Sequence, residues 1–210
     1  MKPQVDPAQY LAHEYDSKER FCSYWHQLNE IITLNPASVL EIGVGNGFLS
    51  RYLKRRGFNL HTLDLDTRLN PDVVGTVSSL PFRDNSFEAV VCYEVLEHLP
   101  FDQFLESAFE LNRVTRAHAI ISLPDASSFI RIVTPPPMMT HFALQIPIPT
   151  LRKRPHVFDG EHFWEIGKAG YPLKRILDGL AQAGFTVLKT YRMRENPYHR
   201  FLVLRKRIES

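Results

Sequence analysis

Apolar positions along this chain switch repeatedly between a spacing of three or four and short continuous runs, and that switching lays out a succession of helices and strands. Phe21, Trp25, Leu28, Ile31 and Ile32 recur at helical spacing, which predicts a helical lead-in over 10–34 with those side chains turned inward. Residues 37–42 predict a buried strand that stops at Gly43. Over 48–56, Phe48, Leu49, Tyr52 and Leu53 fall on one face and basic residues on the other, so a helix closing at Gly57 follows. F-N-L-H-T-L-D predicts a second strand ending at Asp64, D-V-V-G a short third, and F-E-A-V-V-C-Y a fourth over 87–93. Asp102 is the expected N-cap of a helix reaching about Thr115, and A-H-A-I-I-S-L reads as a fifth strand. Leu173, Ile176, Leu177, Leu180 and Ala181 mark an amphipathic helix over 172–183 with Gly184 at its end. Two last strands, 185–193 and 201–207, flank the turn E-N-P-Y-H and predict a hairpin. Such alternation implies parallel strands with helical crossovers, finished by antiparallel pairing.

The segment from 125 to 160 breaks the pattern. It carries P-P-P, I-P-I-P and L-R-K-R-P, too much proline for a helix or a central strand, and is expected to be a lid-like insertion or an ordered surface excursion.

Composition narrows the class. A length of 210 residues with 44% apolar and 11% aromatic content suits one globular domain spanning 1–210, with a lead-in over 1–35 and the insertion at about 125–160. The formal net charge of +2 gives no reason to expect a nucleic-acid partner, and no apolar run is long enough for stable membrane insertion. Two cysteines and the opening M-K-P-Q-V-D-P, without a signal-peptide core, point to a reduced, cytoplasmic chain.

Candidate chemistry begins at V-L-E-I-G-V-G-N-G, residues 39–47, where Gly43, Gly45 and Gly47 follow a strand and precede a helix. Ligands of open α/β sheets bind at that end of the strands, and glycine lets the backbone approach them closely. The G-x-G-x-x-G fingerprint of a nicotinamide-dependent oxidoreductase is not met, because the third glycine comes early and position 48 is Phe. Asp64 closes the next strand, where a carboxylate can accept the hydroxyls of a ribose.

These residues resemble the first motif of class I S-adenosylmethionine-dependent methyltransferases. L-P-F-R-D-N-S-F-E-A-V-V-C-Y-E-V-L-E-H-L, residues 80–99, is similar to the fourth-strand segment of the subgroup that includes ubiquinone and menaquinone biosynthesis enzymes. The resemblance covers roughly 37–206. It implies an α/β, Rossmann-like fold with a seven-stranded, mostly parallel sheet, helices on both faces and an antiparallel C-terminal hairpin. It implies S-adenosyl-L-methionine as cofactor and methyl transfer to a small-molecule, and by the apolar residues of the loop (Met138, Met139, Phe142, Leu144, Ile146, Ile148) an apolar, acceptor. By the same resemblance, Glu41 and the backbone of Gly43, Val44, Gly45 and Gly47 would hold the methionine part, Asp64 and Leu65 the ribose side, Thr76 and Val77 the adenine, while Cys92 and Tyr93 would face the cofactor or the entering substrate. Thr76 stands where relatives commonly carry an acid.

In-line methyl transfer needs alignment, and an oxygen or nitrogen nucleophile often needs a base. His162, in D-G-E-H-F-W-E, is the first candidate, ahead of Glu161, His141 and His156. Glu94, Glu97 and His98 in E-V-L-E-H could suggest a metal, but the spacing is not that of a zinc peptidase and a structural helix start is the expectation, with no metal assigned. Cys92 is expected to pack rather than react, Trp164 to join the core, and Arg152, Lys153 and Arg154 to be solvated. The alternative is a non-catalytic cofactor-binding or assembly protein of the same fold. Oligomeric state is not legible.

Overall fold

Strands that read as continuous apolar runs need cover on both faces, and the chain supplies it. The computed structural model describes residues 5–133, 143–148, 154–158 and 160–208. Strands β1 (Val39–Ile42), β2 (Leu60–Asp64), β3 (Val73–Val74), β4 (Phe87–Tyr93) and β5 (Thr115–Pro124) pair in parallel, and β8 (Phe185–Arg192) and β9 (His199–Lys206) complete a seven-stranded sheet in the order β3-β2-β1-β4-β5-β9-β8. β9 runs antiparallel to both neighbours, so the closing hairpin is the antiparallel part. The remaining two strands, β6 (Phe129–Val133) and β7 (Ala143–Pro147), form a separate antiparallel ribbon. The expected sheet and its antiparallel finish are therefore present, and what the proline-rich segment adds is a ribbon outside the main sheet.

Strand alternation divides the core in two. Val90 and Cys92 of β4, Ala119 and Ile121 of β5, and Leu202 and Leu204 of β9 face helices α3 (Phe104–Val114) and α4 (Leu173–Gln182). Val91, Ile120, Phe201 and Val203 face the other way, toward α1 (Lys18–Leu34) and α2 (Phe48–Arg55). Trp164 is completely buried on the α3 side, its indole N–H donating to the Leu99 carbonyl at 3.0 Å, so it belongs to the core.

Three local expectations need correction. The lead-in is not one helix: a 3-10 turn, Pro7–Leu11, precedes α1, which starts at Lys18 behind the Ser17 cap. Within α1, Phe21 and Trp25 are 48% and 60% exposed, while Leu28, Ile31 and Ile32 pack against the core beside a buried polar stripe of Ser23, Gln27 and Glu30. On that stripe the Ser23 hydroxyl lies 2.9 Å from His199 Nδ1, and Glu30 Oε1 takes 2.7 Å bonds from Lys189 Nζ and the Tyr191 hydroxyl. Asp102 does not cap α3; it lies in a 3-10 turn, Phe101–Gln103, whose own backbone bond from Gln103 N to Pro100 O satisfies one of the helix's early amides. Likewise E-V-L-E-H forms a 3-10 turn, Leu96–His98, not the start of an α-helix.

Candidate active site

The carboxyl ends of β1, β2 and β4 open onto a cavity of about 460 Å³. Its floor is the turn after β1. Gly43 (φ +85°) and Gly45 (φ +53°) hold left-handed backbone, and a Cβ on Gly43 would stand 2.4 Å from Val95 Cγ2. Side chains are missing there because two backbone segments must come together. Asp64 locks the arrangement: Oδ2 accepts from Val44 N at 2.7 Å and Oδ1 from Asp66 N at 2.9 Å, tying the turn to the end of β2.

Glu41 is the unusual member. It sits on β1 between Thr62 of β2 and Val91 of β4, is 3% exposed, and its Oε2 has no hydrogen-bond partner. Burial drives its carboxyl up from the ordinary 4.5 to about 8, with Asp64 adding to the rise and Lys54, Ser50 and Arg51 opposing it. An acid held in that state is set to give up its proton when a cationic occupant arrives.

Glu41, Gly43, Val44, Gly45, Asp64, Leu65, Thr76, Val77, Tyr93 and His162 all line this cavity. Gly47 and Cys92 do not. Gly47 is the residue before α2 (φ +69°), and its part is to turn the chain into that helix. Cys92 points to the opposite side of β4 from Tyr93, is 1% exposed within the core, and burial pushes its thiol well up, which fits packing rather than reactivity. Thr76 Oγ1 lies 3.3 Å from the Ser78 hydroxyl, and a bond from Gly75 N to Asp64 O sets the preceding residue against β2. Arg154 is exposed; Arg152, Lys153, His141, Met138, Met139 and Phe142 fall outside the described residues.

The sequence reading missed two walls. Tyr10 and Tyr15, with rings 5.3 Å apart and edge-on, come from the lead-in to cover the glycine turn, and Arg20 stacks on Tyr15 at 4.5 Å. The aromatic content of the lead-in was visible, but nothing local says which rings fold back. The second wall is built by Glu94, His98, Glu161, His162, Tyr198 and His199. His162 Nδ1 is 3.4 Å from Glu165 Oε1, to which the Tyr198 hydroxyl donates at 2.6 Å, and the His98 and His162 rings meet edge-on at 5.1 Å. Burial lowers the pKa of both His98 and His199. Glu94 has left-handed backbone (φ +52°), a strained state for a residue with a side chain. His156 holds the returning arm of the 125–160 segment, its Nε2 lying 2.8 Å from the His162 carbonyl oxygen.

Residues 40–123, which contain the glycine turn and β4, match the family described as a methyltransferase domain. The chain is similar, at 97% coverage of itself and 100% of the other, to a solved S-adenosylmethionine-dependent methyltransferase from Clostridium acetobutylicum, with a TM-score of 0.63 and 12% identity. The chain shares the Rossmann-like fold of that protein. A second solved structure with that fold, 1,6-didemethyltoxoflavin-N1-methyltransferase of Burkholderia thailandensis, matches 99% of this chain and 93% of its own at a TM-score of 0.57 and 16% identity; it holds 1,6-didemethyltoxoflavin and S-adenosylhomocysteine. Among curated sequences, demethylmenaquinone methyltransferase of Thermotoga maritima is 31% identical over 99 residues, 38% of this chain and 43% of that protein. The chain spans less than half the length of the curated relatives it matches. Among the described residues, no helix is long and apolar enough to cross a membrane.

Proposed function

We propose that this chain binds S-adenosyl-L-methionine in the cavity above β1, β2 and β4 and transfers its methyl group to a small-molecule acceptor, in the cytoplasm. The observation that carries the reading is Glu41: a buried carboxylate with an unpartnered oxygen, beside a turn stripped of side chains, matches the cationic amino-acid end of that cofactor. Asp64, Leu65, Thr76 and Val77 line the same cavity, and we assign Asp64 and Leu65 to the ribose and Thr76 and Val77 to the adenine. When bound, the cofactor supplies an electrophilic methyl on a sulfonium.

The chain's own residues then orient and shield. The Gly43–Gly45 backbone and Asp64 fix the cofactor-side wall, while Tyr10 and Tyr15 close it from water. His162, backed by Glu165 and Tyr198, stands at the acceptor end, where an imidazole can take the acceptor's proton. The 125–160 segment is proposed as the lid over that end; exposed Ile130 and Ile148 on its ribbon support an apolar acceptor.

Calorimetry with S-adenosylhomocysteine, paired with radiolabelled methyl transfer to a panel of small phenols, quinols and amines, tests the reading. Absence of binding refutes the cofactor assignment. Binding without transfer to any acceptor would instead favour a cofactor-binding assembly protein of the same fold, a reading to which the non-acidic Thr76 lends support.

A further inference from the structure

Glu97 is fully buried in the 3-10 turn Leu96–His98, and among the described residues neither of its carboxylate oxygens has a hydrogen-bond partner. An ionised carboxylate in that position, with nothing to offset its desolvation, costs several kcal/mol, so the site calls for either a proton or a cation. Two imidazoles stand beside it. One ligand atom each from Glu97, His98 and His162 lie within 4.8 Å of one another, near the roughly 3–4 Å separating ligands that share an ion at about 2.1 Å.

The surroundings of those imidazoles also have the form of a metal centre. Imidazoles on a metal usually give their other ring nitrogen to a carbonyl or carboxylate, which sets the tautomer. His98 Nδ1 lies 3.0 Å from the Glu161 carbonyl oxygen, and His162 Nδ1 lies 3.4 Å from Glu165 Oε1. Glu94 adds a third buried oxygen without a partner among the described residues, Oε1, in the same region.

We propose that Glu97, His98 and His162 bind one divalent transition-metal cation at the acceptor end of the cavity, and that this ion positions and acidifies a hydroxyl of the acceptor. The occupancy rests on these residues alone; the ion's task rests on the methyl-transfer reading. Two imidazoles with one carboxylate favour manganese, iron, cobalt or zinc over magnesium or calcium. The acceptor class is thereby narrowed to compounds methylated on oxygen. Its hydroxyl gives up a proton to Glu94, an oxygen lone pair forms the new O–CH3 bond, and the C–S bond breaks with its electrons passing to sulfur, which leaves neutral. With the ion present, His162 serves as a ligand, and the ion takes over the acidifying role.

The test uses the full chain, stripped with a chelator and titrated calorimetrically with MnCl2 and ZnCl2, while S-adenosylhomocysteine is titrated into the same preparation. One equivalent should bind in the low micromolar range or tighter. Glu97→Gln, which keeps the shape and removes an uncompensated charge, should weaken that binding by at least about 30-fold, as should His162→Ala, with S-adenosylhomocysteine affinity held within about twofold. Failure of both cations to bind below about 1 mM, or equal binding by both variants, overturns the site. With Co2+ as the bound ion, catechol should shift the visible absorption bands; an unchanged spectrum at saturating catechol overturns the acceptor role. Metal binding without S-adenosylhomocysteine binding would sink the cofactor assignment and leave the cation site standing.

Discussion

Replacing Glu41 by glutamine isolates the one titration that should govern cofactor binding. Before any cofactor binds, burial holds this carboxyl at about 8, so at pH 5.5 only about 0.3% of the chains carry it ionised and at pH 7.5 about a quarter do. Ionising it costs about 3 kcal/mol at pH 5.5 and about 1 kcal/mol at pH 7.5. A charge-assisted bond to the cofactor's ammonium returns about 1.5–3 kcal/mol, so the ion pair forms at a net gain only toward the upper end of that window. Affinity for S-adenosylhomocysteine in the wild-type chain should therefore rise by about 4-fold to about 25-fold between pH 5.5 and 7.5, with release of about half a proton or more into buffer near pH 7. Glu41→Gln should flatten the profile and match the wild type near pH 5.5. Calorimetry in two buffers of different ionisation enthalpy reads both the affinity and the proton count. Stability runs the other way. Because the folded-state pKa lies above the unfolded value, Glu41 favours the fold when protonated, and that contribution is lost as pH rises from about 4.5 through about 8; the glutamine variant should gain on the wild type by on the order of 3 kcal/mol by neutral pH. A flat wild-type affinity profile, or the same slope in the variant, refutes the reasoning.

Gly43→Ala should cost about 3 kcal/mol in chemical denaturation, from the φ of +85° and the 2.4 Å approach to Val95, and the added change Val95→Ala should recover the contact part but not the backbone part. Asp64→Asn should weaken S-adenosylhomocysteine binding by about 1–3 kcal/mol in calorimetry, since a charged acceptor for the ribose is lost and the bonds to Val44 N and Asp66 N are weakened. Asp125→Ala should destabilise by about 3–5 kcal/mol in the same denaturation assay, because the carboxylate is fully buried, accepts from Arg200 Nε at 2.6 Å, and its loss leaves Arg192 and Arg200 without it.

What was legible in the sequence was whatever depends on local backbone demands. The strand, glycine turn and helix at 39–55, the strand of 87–93 and the acid ending β2 were placed to within a residue or two, because period and glycine spacing encode them directly. The inward face of α1 was misread for an equally physical reason. Ser23, Gln27 and Glu30 look solvent-facing in a hydrophobic pattern, yet each is buried, two of them against partners more than 150 residues away that no window on the sequence can supply. The acceptor end failed to show for the same cause: Glu97 and His98 lie in one turn, His162 arrives from the far side of the proline-rich segment, and Tyr198 and His199 come from the terminal hairpin.

The cavity's charge ties these misreadings to function. Glu41 at one end and Glu94 and Glu97 at or behind the other each carry a buried oxygen with no hydrogen-bond partner. A fold selected for stability alone would replace such acids with neutral side chains of the same shape, since an uncompensated buried carboxylate only subtracts. Their retention at both ends makes sense if each end is completed by positive charge from outside the chain: an ammonium and sulfonium beside Glu41, and a metal ion beside Glu97. The two ends can be separated experimentally, because Glu41→Gln should alter cofactor affinity and leave metal affinity alone, whereas Glu97→Gln should do the reverse; a variant at either end that moved both affinities equally would mean that the cavity responds as one electrostatic unit and that the two-cation account is wrong.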